Sequence, residues 1–157
     1  MIIYKQNMEI FYKSENNKIP LIIIEEIKKE LSENNTFIKL ENFNNYINKV
    51  ETHAKMISFV DSNKKIQEVY GFCIYYCNDY KNLTGFITLI IINKNHRNKG
   101  YGEKLLNYVI KDIKNNGFNK LSLNVNKYNK KAIKLYKKKG FVETELNDDE
   151  YKMILKL

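Results

Sequence analysis

A strongly apolar run, "FITLIIIN" (residues 86–93), leads within two residues into "HRNKGYG" (residues 96–102), and the chain then reopens as an amphipathic pattern. A run with five β-branched residues among eight reads as a central strand with both faces buried. From Tyr101 onward, Leu105, Leu106, Val109, Ile110 and Ile113 fall on one helical stripe, and Gly117 is a good stop. A strand that turns through glycines into a helix start presents unpaired backbone N–H groups at the positive end of a helix dipole, which is an anion site. Gly100 and Gly102 let the main chain approach a phosphate, and Arg97 and Lys99 add charge beside it. The spacing fits neither the P-loop, which needs four residues between its glycines, nor the dinucleotide fingerprint, which needs a third glycine where position 105 is Leu.

Around this feature the periodicity alternates between strand and helix. "MEIFYK" reads as a first strand. "LIIIEEIKKELS", opened by Pro20, places Ile23, Ile24 and Ile27 at helical spacing, and "LENFNNYINKV" does so with Phe43, Ile47 and Val50. "KMISFV" and "EVYGFCIYYC" read as strands joined by the turn "DSNKK". "KLSLNV" is a further strand, "NKKAIKLYKKKGF" a short helix ended by Gly140, and "FVETEL" and "YKMILKL" a closing hairpin. The expected order is β-α-α-β-β-β-α-β-α-β-β. Interleaving in the second half requires part of the sheet to be parallel. With 157 residues, no internal repeat and no linker, residues 1–157 are expected to form a single domain.

The net charge of +9 favours anionic partners, but the lysines are spread along the chain, so a solvated lysine face is expected and nucleic acid is not. Cys73 and Cys77, four residues apart on one strand, would stand about 13 Å apart, too far for a disulfide. Buried thiols and a reducing, cytoplasmic setting follow, and with no apolar run near 18 residues no membrane partner is expected. No His and Cys cluster has metal-ligand spacing, so no metal is expected.

"RNKGYG" has the form R-x-x-G-x-G, and further along, "NKKAIKLYKKKGF" matches N-x-x-A-x-x-L-Y-x-x-x-G-F at Asn129, Ala132, Leu135, Tyr136, Gly140 and Phe141. Together these resemble the GNAT superfamily of acetyl-CoA-dependent N-acetyltransferases, most closely over residues 84–145 and more loosely before residue 55. The resemblance implies an α/β, single-domain GNAT-like fold: a mixed, mostly antiparallel sheet with a splayed parallel pair and helices on both faces. It implies acetyl-CoA as cosubstrate, its pantetheine arm lying along Ile90, Ile91 and Ile92, where the splay leaves main-chain groups of Ile90 and Ile92 unpaired. The pyrophosphate would sit over the backbone of Arg97, Asn98, Lys99, Gly100, Tyr101, Gly102 and Glu103. Asn129 would bond the cofactor while also capping its helix. Tyr136 would be the acid that protonates the leaving thiolate, otherwise a core aromatic.

For the base, the strand Glu of related N-terminal acetyltransferases is replaced here by Asn124, within "LNVN"; His53 and Asp79 are the remaining candidates, each otherwise structural or exposed, and Glu68 is not one. The missing Glu tilts the acceptor towards a small-molecule amine over a protein N-terminus or lysine. A non-catalytic acyl-CoA-binding module is the rival from another class, and a homodimer stays open. The sequence names neither the acceptor nor the preferred acyl chain.

Overall fold

The computed structural model describes residues 3–5, 8–13, 18–33, 42–61 and 68–157. Its elements in chain order are β1 (Ile3–Lys5), β2 (Met8–Lys13), α1 (Leu21–Glu33), α2 (Phe43–His53), β3 (Ala54–Asp61), β4 (Glu68–Asp79), β5 (Thr84–Ile92), α3 (Tyr101–Asn115), β6 (Lys120–Asn126), α4 (Lys130–Lys138), β7 (Val142–Asn147) and β8 (Glu150–Lys156), with a 3-10 turn at Lys94–His96. This is the expected order with one short strand, β1, added in front. After Asp61, the turn expected at "DSNKK" lies outside the described residues.

The strands form one sheet in the order β1-β2-β3-β4-β5-β6-β8-β7. Every described pairing is antiparallel except β5 with β6. The apolar strand β5 is central, as its composition requires. A long crossover must return the chain to run parallel beside it, and α3 supplies that crossover.

Two apolar clusters, one on each face, fix the helices. Ile23 and Ile27 of α1, with Phe43, Ile47 and Val50 of α2, pack against Met56, Phe72, Ile74 and Ile91. Leu105, Leu106, Val109 and Ile113 of α3 join Ile133 and Tyr136 of α4 over Phe59, Cys73, Tyr75 and Leu121. The four α3 residues are fully buried, each worth about 1.5–3 kcal/mol relative to exposure. Helix α1 starts one residue later than expected: the Pro20 carbonyl accepts from Ile23 and Ile24 N–H, so proline flanks the helix and does not sit inside it. Cys73 and Cys77 are free, buried thiols on β4, and burial pushes the Cys73 thiol well above its ordinary range.

Candidate active site

The parallel ladder between β5 and β6 runs only from Thr84 with Lys120 to Ile87 with Leu123. Beyond it β5 continues to Ile92 against β4 alone, and β6 continues to Asn126 against β8 alone, so the two strands part and open a V. At the parting point β5 carries a bulge: Leu89 pairs with Ile74 and Ile87 with Tyr75, leaving Thr88 over. The extra residue reverses the alternation, placing Ile87 in the α3 cluster and Leu89 and Ile91 against the α1–α2 side.

Past the bulge the pairing is regular. The Asn93 N–H donates to the Tyr70 carbonyl, so alternation turns the main-chain groups of Ile90 and Ile92 into the V. Ile91, between them, turns its groups to β4. The expectation that the Ile92 carbonyl is unpaired needs correction, because Arg97 Nε donates to it at 2.9 Å. The Arg97 guanidinium therefore braces the end of β5, and also reaches Glu30 of α1 at 3.6 Å.

The V opens onto the loop that joins β5 to α3. Asn98 and Gly100 take positive φ, 63° and 79°, and Gly100 caps α3 with its carbonyl accepting from Lys104 N–H. Two left-handed residues in three turn the chain tightly into the helix start, a backbone arrangement that forms anion-binding concavities. Lys99 donates to the Asn95 carbonyl at 3.0 Å, while Tyr101 packs on Phe59 and Tyr70 with ring centroids 5.9 and 5.4 Å apart. Gly102 lies in the first helical turn, where an added Cβ would stand 3.5 Å from Leu135 and 3.7 Å from Ile92. The Glu103 carboxyl is held down to about 2 by hydrogen bonds from Lys139 and then Lys138, so it reaches across to α4.

Helix α4 closes the same end of the cleft. Asn129 is its N-cap, Oδ1 accepting from Ala132 N–H at 3.1 Å. Lys131, which sequence reading did not single out, donates to the Asn98 side chain and so brings a cation to the glycine loop. Tyr136 is 5% exposed beside Phe141, and desolvation, followed by the nearby Cys73, raises its hydroxyl far above the ordinary range. It is held as a protonated phenol.

On the α1–α2 side, three residues surround the bulge that the sequence reading also missed: Thr88, Tyr46 of α2 and Tyr76 of β4. The Tyr46 hydroxyl is buried and approaches Thr88, though without a well-formed hydrogen bond; burial raises its pKa, and Tyr76 adds to the rise. Burial likewise raises Tyr76. Helical spacing from Phe43 carried a signal for Tyr46, and a lone Thr breaking the run of Ile and Leu carried one for the bulge. Asn124 is exposed on β6 and is its first residue past the ladder. Neither remaining base candidate edges the V. Asp79 accepts from Asn82 in the β4–β5 turn and pairs with Thr84, at the opposite end of β5 from the glycine loop. His53 ends α2, exposed, two strands away from β5. Among the described residues no group of His, Cys, Asp and Glu is arranged to hold a metal, and no helix is long and apolar enough to cross a membrane.

The profile of the acetyltransferase (GNAT) family matches residues 23–141. Solved structures share the fold at low identity. A GNAT family acetyltransferase from Elizabethkingia anophelis with acetyl-CoA bound is similar at 19% identity and TM-score 0.67, over 98% of this chain and 100% of that one. An IAA acetyltransferase from Bacillus cereus is 16% identical with TM-score 0.67, over 94% and 99%. The NatC complex bound to Gag peptide and CoA contains a chain 18% identical with TM-score 0.69, over 94% and 98%. No curated protein matches the chain.

Proposed function

The chain belongs to the acetyltransferase (GNAT) family, and from that premise we propose that it transfers the acetyl group of acetyl-CoA to the primary amine of a small molecule by direct attack, with Tyr136 as general acid. The observation that carries this reading is the V between β5 and β6, which opens directly onto the left-handed turn at the start of α3. A pantetheine arm can complete the main-chain groups of Ile90 as an added strand would, leaving the diphosphate over the N–H groups from Arg97 to Glu103. Lys99 and Lys131 supply charge there, and Asn129 can bond the cofactor with the lone pairs its capping role leaves over.

The chemistry then follows. The amine nitrogen bonds to the thioester carbonyl carbon, and the developing oxyanion takes a hydrogen bond from the Ile90 N–H. The C–S bond breaks, and the leaving thiolate takes a proton from the Tyr136 hydroxyl. The phenolate is reprotonated by the proton the amine gives up. Around Thr88, Tyr46, Tyr76 and Asn124 the polar groups are neutral hydroxyls and an amide, so the ammonium of a free acceptor loses its first proton to water.

The test supplies acetyl-CoA with a panel of amines, including amino sugars, polyamines, amino acids and peptides, and follows free thiol. Turnover with a small amine is expected. Turnover confined to peptides would replace the acceptor, and tight acetyl-CoA binding without turnover on any amine would leave a binding module.

A further inference from the structure

Glu68 and His96 take no part in the acetyl transfer just described, yet they meet at 2.6 Å, Glu68 Oε1 against His96 Nε2. Glu68 opens β4, and His96 closes the 3-10 turn immediately before Arg97. His96 is 9% exposed. Its ring stacks on Tyr70 with centroids 3.9 Å apart and planes 19° apart, and stands edge-on to Tyr101 at 6.2 Å. Tyr70 in turn donates to Asp61 at 3.0 Å. One side chain thus ties together β4, the turn and the first residue of α3.

The tie matters because a three-residue 3-10 turn has little stability of its own. Between His96 and Tyr101 the backbone carries two left-handed residues, Asn98 and Gly100. Both ends of that stretch rest on one aromatic block, Tyr101 on Phe59 and Tyr70, and His96 on Tyr70. Donors that must converge on a diphosphate bind it well only if they are already aimed, since any ordering done at binding subtracts from affinity. Resting on the reading of this loop as the diphosphate site, we propose that His96 and Glu68 form a positioning pair that holds the loop N–H groups in their binding geometry. The pair touches neither the thioester nor the acceptor. It acts on one part of the cofactor alone, the diphosphate.

That selectivity supplies the test. Coenzyme A and pantetheine, which lacks the diphosphate and nucleotide, are titrated against the full chain, by calorimetry and by NMR respectively. His96→Ala and Glu68→Ala should each raise the dissociation constant for coenzyme A about tenfold, the scale of one hydrogen bond to a charged group. Pantetheine affinity should stay within about twofold, and the double variant should be no worse than either single one. Glu68→Gln keeps an acceptor oxygen and His96→Gln keeps a donor near Nε2, so both should retain coenzyme A affinity within about threefold. If an alanine variant fails to fold, His96→Phe and Glu68→Met, which keep the bulk and lose the hydrogen bond, take its place with the same loss of about tenfold expected. A parallel loss for both ligands, or no loss for either, overturns the positioning role. Wild-type protein that binds coenzyme A no more tightly than pantetheine would instead show that the loop is not the diphosphate site, and the functional reading falls with it.

Discussion

Gly85 lies in the short stretch where β5 and β6 still pair, opposite Leu121, and its carbonyl accepts from the Ser122 hydroxyl. A Cβ added there would stand 2.4 Å from Ile113 Cδ1 and 3.3 Å from Cγ1 and Cγ2 of the same side chain. Ile113 has no exposed surface, so it has nowhere to withdraw without disturbing the α3 cluster. Overpacking of this kind costs about 1–3 kcal/mol. Replacing a strand glycine by alanine returns about 0.5–1 kcal/mol of backbone entropy. Gly85→Ala should therefore lose about 1.5 kcal/mol net, lowering the melting temperature by about 3–6 °C for a chain of this size. Ile113→Val deletes the offending Cδ1 at a cost of about 1 kcal/mol. If the contact is the cause, the double variant keeps the entropy gain and lies within about 0.5 kcal/mol of wild type; independent effects would put it about 2.5 kcal/mol below. Urea unfolding of the four proteins, followed by circular dichroism, separates these outcomes. Additive losses, or a neutral Gly85→Ala, would refute the claim that glycine is needed here for the approach of α3.

Three further predictions concern the cleft. Gly102→Ala should keep both fold and coenzyme A binding, because its Cβ meets neighbours at ordinary contact distances, whereas Gly102→Glu should abolish binding in calorimetry while still folding. Tyr136→Phe should lower turnover on the best amine by about 100-fold, with coenzyme A affinity unchanged; full activity would remove Tyr136 from the chemistry. Glu103 has a folded-state pKa lowered from 4.5 to about 2, so its pairs with Lys139 and Lys138 add stability above pH 4.5 that is lost as pH falls towards 2. Glu103→Gln should thus melt below wild type at pH 7, with the gap closing across that window, and a constant gap would count against the pairing.

The second half of the chain was legible because its signals are local. An apolar run, a glycine turn, a helical stripe and a capping asparagine each report on neighbours within a turn or two. Their assembly into one cleft was readable through two motifs, and the Lys131 side chain on Asn98 joins them. What eluded sequence reasoning is set by pairing across the sheet. The bulge at Thr88 exists only relative to β4, and Arg97 on the Ile92 carbonyl depends on how sharply the loop turns. Asp79 was a base candidate that could edge the cleft, yet its two oxygens are occupied by the Asn82 amide and side chain in its own turn. Glu68 showed no sequence signal at all, since its partner comes from 28 residues further along.

Past Leu123, β6 is held by β8 alone, through Asn124 with Lys152, Val125 with Tyr151 and Asn126 with Glu150. Residues 150–157 are thus the retaining wall of a trench whose floor and opposite bank are built from earlier chain, and Leu157 N–H is itself fastened to the Asn119 carbonyl. Trimming that stretch would leave the helix that carries Tyr136 in place while the bank beneath it slumps.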